Sequence, residues 1–340
     1  MIDWSSKRVL VTGGASFIGS HLVDALVGRG AEVRVVDDLS SGRLENISNH
    51  VGRLSVEFVE ANLMEPGVAT QSVREIDIVF HLAAVHGGRG FIDMNQAACS
   101  TNLVLDGLVF RACHSAGIEK LIYASSGCVY PNSLQADPNE EVYLREDMVQ
   151  PPYDADKMYG WTKLMGELTL REYYREWGMR SACCRYFTAY GPREHENHAV
   201  MAMIARSLID QNPFIVWGNG QQIRNWTYVS DVVDATILAA EKIDDGSGIN
   251  IGTMERTRVI DVVEEVLRYT QKEHLPIEFD TSKPTGPMNR VADNRLAKEL
   301  LGWQPAVIFA DGLRQTVDWY YNSHDKAEVQ AILERKLTGR

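Results

Sequence analysis

Tyr159 and Lys163 are four positions apart, a spacing that could support proton transfer from a hydroxyl group. On a helix, residues four apart lie on one face, so the phenol and the ammonium can approach the same ligand. A phenol with a pKa near 10 is a poor base at neutral pH. A cation about 4 Å away, at an effective dielectric near 20, favours the phenolate by roughly 4 kcal/mol, or about three pKa units. The pair is therefore predicted to act as a base on a substrate hydroxyl.

A glycine-rich segment at residues 12–19, Thr-Gly-Gly-Ala-Ser-Phe-Ile-Gly, could bind the phosphates of a dinucleotide. It follows a predicted strand and opens a predicted helix, whose amide groups would face the pyrophosphate charge. Asp37 ends the next predicted strand, where a carboxylate can accept hydrogen bonds from both ribose hydroxyls. Because this carboxylate would repel a 2′-phosphate, NAD is predicted in preference to NADP.

Short β-rich runs alternate with helical patterns through the first 190 residues, and these elements must position the side chains above. The runs lie at 8–12, 32–37, 55–60, 77–82, 119–124 and 180–187. Such alternation is typical of an α/β fold with a doubly wound parallel sheet, which binds ligands beyond the carboxyl ends of its strands. Ala83 and Ala84 follow the fourth run, and their small side chains would let the backbone lie along the cofactor.

The pattern changes after Gly191 and Pro192, where the elements become shorter and proline and glycine more frequent. We predict a dinucleotide-binding domain over 1–190, with a return to it near 228–255. Residues 191–340 are predicted to form mainly a smaller C-terminal substrate-binding lobe. Within them, a helix is expected at 232–242 and a strand at 249–251.

Charge and composition exclude several classes of partner. The net charge of −12 argues against nucleic acid, whose binding depends on Lys and Arg neutralising phosphates. Local arginines could still hold a small anion. No run of about 18 apolar residues occurs and no signal-peptide pattern precedes the first strand, so a cytoplasmic protein without membrane contact is expected. The five cysteines are odd in number and lack metal-type spacing, which predicts reduced thiols and no metal site.

These motifs, in this order, resemble the extended short-chain dehydrogenases/reductases of the NAD-dependent epimerase/dehydratase family over nearly the whole chain. The resemblance implies a Rossmann fold, bound NAD, a nucleotide-sugar substrate, and a homodimer formed through helices around 100–115 and 158–177. The cofactor-binding residues that it implies are Gly13, Ser16, Phe17, Ile18, Gly19, Asp37, Asn62, Leu63, Ala83, Ala84, Asn102, Tyr159 and Lys163. Two of these depart from the family pattern: Ser16 replaces the middle glycine and Asn62 replaces an adenine-contacting aspartate.

Tyr153 and Lys157 have the same spacing as the proposed catalytic pair and must be weighed against it. They follow two prolines, which places them at the entrance of a helix. The residues after Tyr159 continue as in the family, so Tyr159 and Lys163 are predicted to carry the chemistry. Lys163 is also expected to hold the nicotinamide ribose.

Ser126 and Cys128 follow the fifth β-rich run. The family places a serine or threonine at the position of Ser126, where it bonds the reacting hydroxyl. At the position of Cys128, dehydratases and decarboxylases have glutamate, and simple 4-epimerases have a small or hydroxyl residue. A thiol carries protons near pKa 8.5. Cys128 therefore suggests that a carbon-bound proton is moved in addition to a hydride.

The segment 86–92, His-Gly-Gly-Arg-Gly-Phe-Ile, together with Cys128, resembles the GDP-mannose 3,5-epimerase family. In that family the cysteine pairs with a lysine from the loop after a Tyr-Gly-Pro motif. Here the loop, 190–199, is shorter, and His198 stands in the place of the lysine. Histidine is a competent acid or base near neutral pH. His198 is predicted to be the partner of Cys128, with His195 as the alternative.

Two arginines resemble the family's diphosphate-binding residues: Arg224, in Gly-Asn-Gly-Gln-Gln-Ile-Arg, and Arg290, ahead of Leu-Gly-Trp-Gln-Pro. Guanidinium groups match the geometry of phosphate oxygens. Thr188 stands where many relatives have a substrate-binding asparagine. Gly88, Arg89 and Ser126 complete the predicted substrate site.

The predicted reaction is 3,5-epimerisation of a GDP-hexose of the GDP-mannose type through transient oxidation at C4. A C4 epimerase of a UDP- or GDP-sugar is the alternative. A 4,6-dehydratase or decarboxylase is disfavoured because residue 128 is not glutamate. A non-catalytic NAD-binding regulator is disfavoured because Ser126, Tyr159 and Lys163 are all present.

Overall fold

The computed structural model describes residues 2–338, which are built around one large parallel sheet. The strands are β1 (Arg8–Thr12), β2 (Glu32–Asp37), β3 (Val56–Glu60), β4 (Ile78–His81), β5 (Lys120–Ser126), β6 (Ser181–Tyr186), β7 (Ala189–Tyr190), β8 (Phe214–Trp217), β9 (Ile223–Arg224), β10 (Thr227–Tyr228), β11 (Asp245–Ile251), β12 (Thr257–Arg258), β13 (Ile277–Asp280) and β14 (Asn289–Arg290). The helices are α1 (Phe17–Gly28), α2 (Val68–Ser72), α3 (Arg89–Met94), α4 (Gln96–Ser100), α5 (Asn102–Ala116), α6 (Lys157–Trp177), α7 (Ala199–Leu208), α8 (Val229–Lys242), α9 (Val259–Tyr269), α10 (Arg295–Leu301), α11 (Phe309–Ser323) and α12 (Lys326–Lys336).

The large sheet has seven parallel strands in the order β11-β6-β5-β4-β1-β2-β3. The central strands β1, β4, β5 and β6 are buried on both faces, as expected for a parallel sheet covered by helices. Within β1, Val9 and Val11 belong to the core on one face, whereas Leu10 belongs to the core on the other. The doubly wound fold and all six predicted strands of the N-terminal half are confirmed, with boundaries displaced by one or two residues.

The strand predicted at 249–251 is confirmed and is longer, because β11 begins at Asp245. It pairs in parallel with β6 and so returns to the large sheet. The helix predicted at 232–242 begins three residues earlier, at Val229. Cys183 and Cys184 of β6 point to opposite faces, in separate cores, and all five cysteines are buried and outside any disulfide.

The C-terminal half contributes a separate hydrophobic core between α7, α9, α11 and α12. Three small sheets, β10-β7, β12-β9-β14 and β13-β8, stand beside this core. They carry the segments around Arg224 and Arg290 to the carboxyl edge of the large sheet. No helix within residues 2–338 has the length and apolarity needed to cross a membrane.

A buried ion pair joins α6 to β6 directly behind the carboxyl end of β5. The guanidinium of Arg185 donates to both carboxylate oxygens of Glu167, with Nη2 to Oε2 at 2.8 Å and Nε to Oε1 at 3.0 Å. The two side chains are at most 3% exposed. Ser125 Oγ also donates to Glu167. The pair therefore fixes the end of β5, where Ser126 lies, against helix α6.

Candidate active site

A cleft of about 370 Å³ opens at the carboxyl ends of the central strands, between the large sheet and the C-terminal half. Most of the predicted functional residues line it. They are Ser16, Phe17, Ile18, Ala84, Gly88, Arg89, Ser126, Cys128, Tyr159, Lys163, Thr188, His198, Arg224 and Arg290. The predicted residues outside its wall are Gly13, Gly19, Asp37, Asn62, Leu63, Ala83 and Asn102.

The glycine-rich turn has no room for side chains at its two outer glycines. Gly13 has a φ of +69°, and a Cβ there would lie 2.9 Å from the backbone nitrogen of Ala83. A Cβ on Gly19 would lie 2.1 Å from the carbonyl oxygen of Gly13. Ser16, which replaces the usual middle glycine, donates its hydroxyl to that carbonyl at 2.5 Å. The substitution therefore closes the turn and leaves the start of α1 open to an anion.

Asp37 is held at the end of β2 by two backbone amides. Its carboxylate accepts from Ala15 N at 3.0 Å and from Leu39 N at 2.9 Å. A Cβ at Gly42 would come within 2.8 Å of both carboxylate oxygens, so the next loop also packs against Asp37. This arrangement fits NAD: the Asp37 carboxylate would lie at the ribose, and the turn formed by residues 13–19 would lie at the pyrophosphate.

Three predicted cofactor contacts are engaged elsewhere. Asn62 Oδ1 accepts from Met64 N in its own loop, and Leu63 packs into the core between α2 and α5. Asn102 is fully buried, and its amide group both accepts from and donates to the backbone of Val85, at 2.7 and 3.0 Å. Asn102 therefore lies behind the cleft wall and orders the segment before His86.

Tyr159 and Lys163 lie on the face of α6 that lines the cleft, whereas Tyr153 and Lys157 do not line it. Lys157 is the first residue of α6, so the competing pair straddles the helix start. Gly160 lets this helix approach the loop after β5, because a Cβ there would lie 2.3 Å from the carbonyl oxygen of Cys128. The structure thus brings Tyr159 and Lys163 together with Cys128.

The expected effect of Lys163 on Tyr159 requires correction. The Lys163 Nζ lies 5.8 Å from the centre of the Tyr159 ring and closer, at 4.7 Å, to that of Tyr123. Burial raises the pKa of Tyr159, and Cys128 adds to the rise, while Ser126 lowers it. Burial also lowers the pKa of Lys163. The sequence-based estimate counted only the attraction of the ammonium, whereas in the folded protein the loss of water around the phenol is the largest effect on its pKa.

Ser126 and Cys128 sit on the short turn that follows β5. The Ser126 hydroxyl oxygen accepts from the Cys128 backbone N–H at 3.1 Å and caps the turn Gly127–Val129. This leaves the hydroxyl proton free to be donated. The Cys128 carbonyl accepts from Asp156 N at 2.9 Å, which ties the turn to the start of α6.

An arginine, not a histidine, is the hydrogen-bond donor to the Cys128 thiol. Arg290 Nη1 lies 3.1 Å from Cys128 Sγ, while its other nitrogens donate to Gln135 and Asp156. Asp156 also accepts from Arg89, at 2.7 Å, and so bridges the two arginines. The predicted partnership of Cys128 and His198 concerns proton exchange with the substrate and needs no direct contact between them, so it stays a prediction.

Arg224 is the third arginine of this cluster. It donates to the carbonyls of Ile223 and Thr285, at 2.7 and 3.0 Å. Burial, reinforced by Arg290 and Arg89, lowers the pKa of Arg224 to about 9. Three guanidinium groups against two carboxylates, Asp156 and Asp93, leave this end of the cleft with a net positive charge at neutral pH, as a diphosphate site requires.

His198 stands at the start of α7, with its Nδ1 3.5 Å from Glu194 Oε1. Its ring lies 6.2 Å from that of His86, which lies 6.4 Å from the ring of Tyr159. Burial and His195 lower the pKa of His198 to about 4. Gly88 lies against this loop, since a Cβ there would come within 1.7 Å of the carbonyl oxygen of Asn197. His195 instead interacts with the backbone of Ser41 and with Arg43, away from Tyr159.

Three cleft residues received no role in the sequence analysis: His86, Glu194 and Arg206. Asp156, which bridges two arginines of the site, was also missed. Arg206 lines the cleft, its Nε is buried without a partner, and its guanidinium lies 5.9 Å from the centre of the Trp217 ring. Burial lowers its pKa to about 10. The sequence could have indicated Arg206, because it is the single charged residue of helix α7, which is mostly apolar.

Comparison with known proteins agrees with this geometry. The model of the "NAD dependent epimerase/dehydratase family" matches residues 9–252. A GDP-mannose 3,5-epimerase 1 of Oryza sativa subsp. indica is 30% identical over 338 residues, covering 97% of this chain and 86% of the relative. A UDP-N-acetyl-alpha-D-glucosaminuronate decarboxylase of Bacillus cytotoxicus is also 30% identical, over 335 residues, covering 92% and 98%.

Among solved structures, the UDP-glucose 4-epimerase of Thermotoga maritima with UDP-glucose superposes with a TM-score of 0.82. It is 30% identical and covers 93% of this chain and 99% of its own. Because the sequence identity is 30% to a 3,5-epimerase, a decarboxylase and a 4-epimerase alike, it does not show which of these reactions the chain catalyses. The chain belongs to the NAD-dependent epimerase/dehydratase family and is an NAD-dependent enzyme of nucleotide-sugar chemistry.

Proposed function

We propose that the protein is a nucleotide-sugar epimerase that inverts C3 and C5 of a GDP-hexose of the GDP-mannose type through transient oxidation at C4. The supporting observation is that Cys128 and His198, two proton-carrying side chains, line the same cleft as Ser126, Tyr159 and Lys163. The likeness to the rice GDP-mannose 3,5-epimerase over 97% of the chain supports the same reaction.

In this mechanism, Tyr159 removes the proton of the C4 hydroxyl while Ser126 donates a hydrogen bond to the same oxygen. NAD, when bound, supplies an acceptor for the C4 hydride and a positive charge that favours the phenolate. The resulting C4 ketone acidifies the hydrogens on C3 and C5. Cys128 and His198 remove and return those protons, each step typically contributing 10²–10⁴-fold. Return of the hydride and of the Tyr159 proton restores the C4 alcohol.

The substrate diphosphate is proposed to bind Arg224 and Arg290, with Arg89, Gly88 and Thr188 beside the sugar. Arg290 would have to share its guanidinium among the phosphate, Asp156 and Cys128, whose distances to it are 2.9 and 3.1 Å. In this assignment residues 1–190 with 228–255 hold NAD and part of the sugar, and the remaining residues of 191–340 hold mainly the nucleotide part of the substrate. We place the enzyme in the cytoplasm.

A C4 epimerase is the second candidate, and one contact favours it. Because Arg290 already donates to the Cys128 thiol, the cysteine could serve only to fix Arg290 for phosphate binding. Reaction at C4 alone would then need no proton exchange at carbon. The likeness to the Thermotoga UDP-glucose 4-epimerase is compatible with this assignment.

Solvent deuterium separates the two reactions. The enzyme is incubated in D₂O with a panel of GDP-, UDP-, ADP- and dTDP-sugars, and the products are read by NMR. A 3,5-epimerase incorporates deuterium at C3 and C5, whereas a C4 epimerase incorporates none at either carbon. We expect Cys128→Ala to lower incorporation at one of the two carbons by about 10²–10⁴-fold while C4 oxidation continues.

Cys113→Ala is the matched control, since Cys113 is buried in the core and lies outside the cleft. It should retain incorporation at both carbons. Full turnover by Cys128→Ala, without deuterium in any wild-type product, would establish C4 epimerisation instead.

We also propose a homodimer formed by helices α5 and α6, which pack against each other. Their outer face exposes large apolar side chains: Leu103, Val104, Trp161 and Met165. A two-fold axis would bury the same patch on both subunits. The variant Val104→Glu/Met165→Glu should therefore be a monomer by light scattering, and Ile308→Glu, at an exposed apolar site elsewhere, should not. A monomeric wild-type protein would contradict the proposal.

A further inference from the structure

Glu194 is a buried acid in the cleft wall to which the mechanism above assigns no role. Its side chain is 3% exposed, and it lies on the loop between β7 and α7. One carboxyl oxygen faces His198 Nδ1 at 3.5 Å, and the other is buried without a hydrogen-bond partner. The carboxyl also accepts a hydrogen bond from the backbone N–H of Gly191. A carboxyl group with no cation beside it is costly to bury in ionised form.

We propose that Glu194 is the positioning residue of His198: it orients the imidazole through Nδ1 and holds the proton that His198 delivers to the substrate carbon. This role rests on the proposed function, because it concerns the proton exchange at C3 or C5.

The charge balance of the pair supports this role. Burial raises the pKa of Glu194 well above its usual range, which favours the protonated carboxyl. The pKa of His198 is lowered to about 4, which leaves the imidazole neutral. Together the two groups hold one transferable proton and carry no net charge. Glu194 and His198 can therefore supply a proton to the substrate without forming an imidazolium ion.

The proton transfer is balanced as follows. Nε2–H of His198 gives its proton to the carbanion at C3 or C5, while the Glu194 carboxyl gives its proton to Nδ1. The products are a carbon–hydrogen bond, a neutral imidazole of the other tautomer and a carboxylate. The reverse sequence removes a proton from carbon and restores the carboxylic acid. No oxidant or additional reactant is needed.

The neighbouring titratable groups do not replace Glu194. His195 lies on the same loop and lowers the pKa of His198. His86, from the segment after β4, and Tyr159 of α6 face the histidine from the opposite direction, with His86 between them. Arg206 lies two turns further along α7. Glu194 is the carboxylate that the structure pairs with His198.

Glu194→Gln tests the proposal because glutamine can still hold Nδ1 but has no proton of this acidity to transfer. His198 would then act as an imidazolium with a pKa of about 4, of which about one in a thousand is formed at pH 7. We expect deuterium incorporation from D₂O into GDP-mannose at one carbon to fall about 10²–10³-fold at pH 7. The rate should recover as the pH falls towards 5, since more imidazolium forms.

Stability gives an independent readout. At a pH between the usual carboxyl pKa and the raised pKa of Glu194, the folded protein retains the Glu194 proton and the unfolded chain loses it. Because the unfolded state then binds fewer protons, the free energy of unfolding falls as the pH rises through this range. Glu194→Gln should therefore unfold at a temperature no lower than wild type at neutral pH. Glu146→Gln is the control, because burial also raises the pKa of Glu146, which lies outside the cleft. It should leave incorporation unchanged.

The double variant Glu194→Gln/His198→Gln should lose no more than His198→Gln alone, since the two residues act as one unit. Suppose that the wild-type enzyme incorporates deuterium and that Glu194→Gln has the same rate and pH profile. This result would overturn the role of Glu194 and leave the proposed function standing. Absence of incorporation in wild type would overturn both.

Discussion

Tyr159→Phe is expected to lower turnover by about 10²–10⁴-fold or more, because the substitution deletes only the phenolic oxygen that takes and returns the C4 hydroxyl proton. The residue stands in the cleft on α6, with Ser126 as its polar neighbour. Both the oxidation and the final reduction pass through this oxygen, so both should slow. The measurement is conversion of the active sugar nucleotide by NMR, together with the absorbance of reduced nicotinamide in single turnover.

Tyr153→Phe is the control, because it removes the same phenolic oxygen from a different tyrosine. Tyr153 packs against the small core cluster that contains Leu164 and Val129, and it lies outside the cleft, so its hydroxyl has no part in the reaction. Turnover should stay at the wild-type level. Loss of activity in Tyr153→Phe with retention in Tyr159→Phe would reverse the assignment and overturn the catalytic interpretation.

Arg185→Met is expected to cost about 3–5 kcal/mol of unfolding free energy, because it leaves the Glu167 carboxylate buried without its cation. The carboxylate would retain the Ser125 hydroxyl as a donor, which does not neutralise its charge. Arg175→Met is the control for removing an arginine from an ion pair. Arg175 and Glu172 are both more than half exposed, and such pairs contribute under about 1 kcal/mol.

Denaturant unfolding of these two variants and of Arg185→Met/Glu167→Met completes the experiment. The double variant should recover much of the loss, since an apolar pair of similar volume carries no unpaired charge. If Arg185→Met were no less stable than Arg175→Met, the ion pair would not be buried in solution as it is in the structure.

The central strands of the large sheet could be predicted because they are buried on both faces and therefore consist largely of apolar residues. The start of β11 at Asp245 could not, because Asp245, Gly246 and Ser247 have no such pattern and are placed by pairing with β6. Side chains placed by local motifs could also be predicted from the sequence, as Tyr159 and Lys163 on one helix turn show.

Partners contributed by distant segments were not predictable. The thiol of Cys128 meets an arginine 162 positions away, and nothing in the spacing of either residue indicates the contact. The acidity of Tyr159 depends on how much water the folded cleft excludes, which a pairwise estimate from Lys163 omits. Asn102 has the residue type of a ligand contact, yet the fold uses both ends of its amide on Val85.

The carboxylate of Asp156 has a consequence for product release. A sugar nucleotide and its epimer carry the same diphosphate, so every gain in phosphate affinity that speeds capture also slows departure. Asp156 occupies one nitrogen of Arg89 and one of Arg290. In the proposed assignment, a diphosphate bound by Arg290 must compete with this internal anion. The same competition would weaken the retention of substrate and product alike.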